Sequence, residues 1–126
     1  MLITPSAICD PETNTLVGSI GIRPLGADET LTVEFGYWLG EEYWGRGIMS
    51  DAASGFARWV LENFPADEVL RLEANVFSSN EASRRVVTKA GFVHEGTRRK
   101  AGVKRWDGGI VDILMFGLLR EDLEGV

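Results

Sequence analysis

A chain of 126 residues with 44% hydrophobic and 25% charged side chains has the make-up of one globular domain, residues 1–126, able to bury a core without covalent staples. A net charge of −6 excludes the lysine- and arginine-rich surface that a phosphate-backbone partner requires, so no nucleic acid is expected as a partner, while a cationic acceptor would suit an acidic surface. A single cysteine, Cys9, and a single histidine, His94, exclude an internal disulfide and argue against a zinc centre, so no metal is expected. No apolar run approaches the ~18 residues of a membrane span. Met1-Leu2-Ile3-Thr4-Pro5 lacks the basic and apolar parts of a signal peptide, and the expected location is cytoplasmic.

The first part of the chain reads as strands. Ser6 to Cys9 is short and apolar-leaning, and Asp10-Pro11-Glu12-Thr13-Asn14 is turn chemistry, because proline presets φ and Asp or Asn tolerates turn geometry. Leu16 to Ile22 alternates around small residues as a second strand, and Pro24 to Thr30 carries Pro, Gly and Asp as another turn. Thr32 to Leu39, rich in β-branched and aromatic types, reads as a third strand. Connections this short imply an antiparallel meander.

The hydrophobic period then changes. Ile48, Ala52, Phe56 and Val60, with Ala53 and Trp59, recur at helical spacing, which predicts a helix from about Gly47 to Asn63 with Pro65 just beyond its end. Val69 to Val76 reads as a strand with Leu70, Leu72, Ala74 and Val76 on one face. Asn80 is the cap of a second helix whose apolar side is Val86, Val87 and Ala90, and Gly91 sits where a left-handed terminal residue belongs. Phe92 opens a further strand, Asp107-Gly108 signals a hairpin, and Ile110 to Leu119 is expected to be a buried strand. This order predicts an α/β (α+β layered) domain built on a mixed, mostly antiparallel central sheet with helices.

The most informative segment is Gly36-Tyr37-Trp38-Leu39-Gly40-Glu41-Glu42-Tyr43-Trp44-Gly45-Arg46-Gly47-Ile48-Met49. A strand ends, two glycines stand one residue apart, and a long helix begins. The first N–H groups of a helix have no internal partner, and the helix dipole places partial positive charge there. Glycines let a ligand approach the backbone, so the turn can cradle a pyrophosphate. Neither a P-loop nor a dinucleotide fingerprint fits, because no lysine follows and Ser50 stands where the third glycine belongs.

Gly-Tyr-Trp-Leu followed by Tyr-Trp-Gly-Arg-Gly-Ile-Met resembles the acyl-CoA-binding motif of the GNAT superfamily, and within it the Rim-type branch that acetylates ribosomal protein N-termini. A second block, from Asn80 through Ser83, Val86 and Lys89 to Gly91-Phe92, is similar to that branch's Asn-x-x-Ser-x-x-Val-x-x-Lys-x-Gly-Phe helix. Glu95-Gly96, Trp106-Asp107-Gly108 and Val111-Asp112 continue the likeness, which runs from about residue 6 to residue 123. The resemblance implies acetyl-CoA as cosubstrate and an amine acceptor. Backbone N–H groups of Trp44, Gly45, Arg46, Gly47, Ile48 and Met49 would hold the pyrophosphate. The edge of Tyr37, Trp38 and Leu39 would pair with the pantetheine amides, and this strand would splay from the next. Asn80 would bond the pantetheine arm, and Lys89 either meets a coenzyme phosphate or is a solvated helix lysine.

Catalysis needs a neutral amine, a polarised thioester carbonyl and a proton for the leaving thiolate. Glu34 matches the position of a glutamate base in some members, and its neighbours Val33 and Phe35 would face the opposite side of the sheet. The helix position that usually holds a tyrosine acid is Val87, which leaves Ser83 as a proton donor or a plain helix hydroxyl. Glu42 stands where Gln or Arg is common. His94 reads as a structural or surface residue, the basic cluster Arg98-Arg99-Lys100 with Lys104 and Arg105 reads as solvated surface or as a contact for an acidic patch of substrate or partner, and Trp38 and Trp106 are candidates to line the acceptor cleft. The family normally carries a strand and two helices before the strand at Ser6. The resemblance therefore implies an N-terminally truncated fold with an unpaired sheet edge, which a homodimer would cover. A non-catalytic acyl-CoA-binding module is the alternative reading.

Overall fold

The structure is a computed structural model and describes residues 6–26 and 31–124. The strands are β1 (Ser6–Cys9), β2 (Leu16–Pro24), β3 (Thr32–Leu39), β4 (Arg71–Phe77), β5 (Val93–Val103) and β6 (Ile110–Leu118). The helices are α1 (Ile48–Asn63), α2 (Glu81–Lys89) and α3 (Arg120–Glu124). One six-stranded sheet has the order β1-β2-β3-β4-β6-β5, antiparallel except for the β3–β4 pair. This is the mixed, mostly antiparallel sheet that the sequence predicts.

Alternation along the strands decides the two faces. Val33, Phe35, Leu72, Ala74 and Val76 point to one side and are buried with Met49, Ala53, Ala57 and Val60 of α1 and Val87 of α2. The helices cover only that face and touch each other. Residues between them in sequence, including Glu34, Glu73 and Asn75, lie on the other side. The buried stripe of α1, Met49, Ala53, Ala57, Val60 and Leu61, shares only Ala53 and Val60 with the apolar recurrence read from the sequence: Ile48, Ala52 and Phe56 are half-buried at its edge and Trp59 faces outward, 49% exposed.

Several boundaries differ from the sequence reading. β2 continues to Pro24 because the β2–β3 register extends to Arg23↔Glu34 and Pro24↔Val33, whereas residues 27–30 of the expected turn lie outside the described residues. Leu70 does not join the core face of β4: it is 49% exposed and the strand starts at Arg71. The N–H groups of both Leu70 and Arg71 donate to the Leu31 carbonyl, which turns Leu70 outward while Val69 fills the core. β6 is fully buried only over Phe116–Leu118. Its register with β4 stops at Phe77↔Ile113, so Ile110 and Val111 pair only with β5, in a two-stranded extension too thin to bury Ile110.

The short α3 carries no apolar period and escaped the sequence reading. Arg120 at its start donates to the carbonyls of Leu61 (3.0 Å), Val69 (2.7 Å) and Phe64 (2.5 Å). One guanidinium fork thus ties the end of α1 and the entry to β4 onto the end of the sheet.

Candidate active site

The parallel β3–β4 pair is short. Its register holds only Thr32↔Arg71, Val33↔Leu72 and Glu34↔Glu73. Beyond those residues the strands diverge, and from Phe35 to Leu39 the β4-facing edge of β3 has no strand partner among the described residues. A cleft of about 710 Å³ occupies the opening, bounded by β3, the turn before α1, the end of β4 and the first turns of α2.

The turn before α1 is built for close approach. Gly45 and Gly47 both have φ of 76°, a region that L side chains rarely adopt, and Gly47 is the residue before the helix. Asp51 N–H is the first to donate back into the helix start, to the Gly47 carbonyl at 3.1 Å. No acceptor among the described residues takes the N–H groups of Gly45 through Ser50, and all of these residues but Arg46 line the cleft. The result is a row of free donors at the positive end of a sixteen-residue helix. The Trp44 indole N–H donates to the Leu39 carbonyl at 2.8 Å and pins the turn to the strand end. Arg46 points its guanidinium over the Tyr43 ring at 5.7 Å, so only its main chain can serve the turn.

On the opposite wall, Asn80 Oδ1 accepts the Ser83 N–H at 3.0 Å, which is the predicted cap, and the Asn80 amide hydrogens have no acceptor among the described residues. Ser83 Oγ hydrogen-bonds the Tyr37 hydroxyl, which reaches across from β3. Burial pushes the Tyr37 phenol above its ordinary value, and the Ser83 bond offsets this in part. Tyr37, Trp38, Leu39, Trp44, Gly45, Gly47, Ile48, Met49, Asn80, Ser83 and Glu34 all line the cleft, whereas Lys89 does not; the Trp44 backbone N–H, expected among the phosphate donors, is instead taken by the Glu41 carbonyl at 3.1 Å, which closes the short turn.

Glu34 sits where strand pairing ends. Its Oε1 accepts from Arg23 Nε at 2.7 Å and its Oε2 from Asn75 Nδ2 at 3.0 Å. It borders both the cleft and a smaller groove of about 300 Å³ on the open face of the sheet, floored by Gly21 and Gly36 and walled by Trp38. Sequence reasoning missed Asn75 and Arg85, which also line the cleft. The alternation of Glu73 and Asn75 with buried Leu72, Ala74 and Val76 was the available signal for Asn75; Arg85 stands one helical turn beyond Ala82, which also lines the cleft, so helical spacing puts both on the same side of α2. Trp106 is 77% exposed at the hairpin tip and does not line the cleft. His94 packs against Phe116 with the rings tilted by 32° and donates from Nε2 to the Gly96 carbonyl at 2.9 Å, away from the cleft. Among the described residues no helix is long and apolar enough to cross a membrane.

Diverging parallel strands beside a glycine-built helix N-terminus are the architecture of the acyl-CoA N-acyltransferase fold. Residues 4–93 match the family described as Acetyltransferase (GNAT) domain, and the chain belongs to that family. It is 29% identical over 114 residues to the uncharacterized N-acetyltransferase p20 of Bacillus licheniformis, covering 90% of this chain and 61% of that protein. It is 37% identical over 89 residues to the uncharacterized N-acetyltransferase YoaA of Bacillus subtilis, covering 71% and 48%. Among solved structures, ribosomal-protein-S5-alanine acetyltransferase from Vibrio fischeri aligns with a TM-score of 0.77 at 25% identity over 92% of this chain and 61% of that one. The chain thus spans about half to three fifths of the length of these relatives.

Proposed function

We propose that this chain binds acetyl-CoA and transfers the acetyl group to a primary amine, a protein N-terminus or a small amine, by direct attack on the thioester. The observation that carries the reading is the row of free N–H groups from Gly45 to Ser50 opening into the cleft between β3 and β4. The pyrophosphate would lie on those donors, and the pantetheine would add as a strand to the unpaired edge of β3. The free amide hydrogens of Asn80 suit the pantetheine arm, and Arg85 is better placed than Lys89 to meet a coenzyme phosphate.

The acceptor would approach from the open face through the groove floored by Gly21 and Gly36. Glu34, standing between groove and cleft, would take the proton from the attacking amine. A main-chain N–H near Tyr37 or Trp38 would stabilise the oxyanion. The likeness to a ribosomal-protein-S5-alanine acetyltransferase favours a Rim-type acceptor, the N-terminus of a protein.

Calorimetric titration of acetyl-CoA, followed by thiol release with peptide and small amines, tests this. Binding in the micromolar range with amine-dependent thiol release is expected. Gly47→Asp sets a carboxylate among the phosphate donors at a φ of 76°, and is expected to weaken binding by about 100-fold. No binding from folded protein would overturn the assignment. The second reading, a module that binds acyl-CoA without turnover, draws on the burial of Val87 at the helix position usual for the acid. Binding without thiol release for any amine would favour it.

A further inference from the structure

The leaving thiolate needs a proton, and Val87 cannot supply it: its side chain is apolar and wholly buried. The phenol of Tyr37 enters the same cleft from the facing wall. Tyr37 lies on the helix-covered side of β3, braced edge-on by the Phe35 ring at 6.1 Å. Because strand pairing ends at Glu34↔Glu73, no β4 residue pairs with Tyr37, and its ring spans the opening to the first turn of α2. There the hydroxyl meets Ser83 Oγ and lies 3.4 Å from the Ser83 carbonyl oxygen. The Asn80 cap holds that serine in turn.

We propose that Tyr37 is the general acid of the transfer, with Ser83 as the hydroxyl that orients and supports it; this rests on the acetyl-transfer reading above. The amine nitrogen forms its bond to the thioester carbon, and the carbonyl electron pair moves to oxygen. On collapse the C–S bond breaks, and sulfur keeps the bonding pair and takes the proton from Tyr37 Oη. Ser83 Oγ–H donates to the phenolate so formed. Glu34 holds the proton lost by the amine, and its return to solvent together with reprotonation of Tyr37 from solvent restores both groups without net proton change.

The other cleft-lining groups fit the role less well. An aliphatic hydroxyl such as Ser83 is a far weaker acid than a phenol, and a guanidinium such as Arg85 does not give up its proton. Tyr43 belongs to the short turn beside the glycines, at the phosphate end. A phenol keeps its proton through neutral pH, and burial of Tyr37 shifts it further in that direction, so the proton is in place when negative charge develops on sulfur.

The first test needs no acceptor. Free coenzyme A is bound to the wild type and to Tyr37→Phe, and the thiol is titrated through the ultraviolet absorbance of the thiolate, each against the same protein without ligand. A hydroxyl donating to sulfur should make the bound thiol about tenfold more acidic in the wild type than in the variant. With an amine acceptor, Tyr37→Phe should lower kcat by about 100-fold and leave the Kd for acetyl-CoA within about twofold. Ser83→Ala should lower kcat by about tenfold, since the phenol remains. Equal thiol acidity, or a kcat within about threefold of wild type, would overturn the role of Tyr37 while coenzyme binding still upheld the broader reading. Absence of coenzyme binding in the wild type would overturn both. Should Tyr37→Phe lose cooperative unfolding, Ser83→Ala carries the same thiol titration, with a smaller shift in the same direction expected and no shift counting against the proposal.

Discussion

On the helix-covered face of β3 and β4, Val33, Phe35, Leu72, Ala74 and Val76 are buried and make no polar contact that specifies chemistry. On the open face the alternate residues form a polar row. Arg23 bonds Glu34, Asn75 bonds both Glu34 and Glu73, and Arg71 bonds Glu73 and Glu95, so the row reaches from β2 to β5. Arg71 crosses β6 to Glu95 only because Gly117 lies beneath; a Cβ there would collide with both side chains. The same strands thus carry cohesion on one side and placed charge on the other. Side chains of period two let neighbouring residues serve the two ends without sharing space.

The contrast can be pressed from its strongest point downward. Leu72→Ala, at a site with no exposed surface, is expected to cost about 2–5 kcal/mol in denaturant unfolding, because the cavity is closed in by sheet and helix. A loss under about 1 kcal/mol would mean that this face is not the cohesive one. Glu34→Gln, its neighbour on the other face, keeps the shape of the row. It is expected to lower kcat by about 100-fold, with a stability change under about 1 kcal/mol. Destabilisation matching that of Leu72→Ala would break the division between faces.

Glu95→Gln, at the far end of the row, is expected to have the smallest effect. The bond from Arg71, before its charge, holds the Glu95 carboxyl below the ordinary 4.5. A carboxyl depressed in the folded state adds stability that is present above the unfolded value and lost as pH falls through the folded one. The wild type should therefore exceed Glu95→Gln by about 0.5 kcal/mol at neutral pH, since the pair is partly exposed and screened. The difference should close as pH drops below 4.5. Arg71, whose guanidinium is shifted upward by the same pair, stays charged across that range. Urea unfolding of both proteins over the acid range would check it, and a gap that widened below pH 4.5 would refute the assignment.

Much of the candidate site is legible in the sequence. The glycine pair, the Asn80 cap and the change from strand to helix period are local signals, each set by φ, by a hydrogen bond a few residues long, or by side-chain spacing. Leu70 misled because alternation extends the apolar pattern one step past the point where backbone bonds to Leu31 turn the chain. The exposed half of β6 misled because hydrophobicity marks what could be buried, whereas the reach of β4 decides what is. α3 and the Arg120 fork left no periodic trace, since a guanidinium reaching three carbonyls depends on where distant chain ends meet.

By itself, the sequence determined the order of elements, the donor-rich turn at Gly45 and Gly47 and the side of the sheet on which Glu34 stands. These depend on interactions within a few residues and on the two periods of 3.6 and 2. Only the tertiary structure decided that β3 and β4 part after Glu34, that Arg23 and Asn75 grip that carboxylate, and that Tyr37 meets Ser83. Such contacts join residues far apart in the chain. They exist only once strand register and helix packing have closed the long loops between them, and no local pattern encodes that closure.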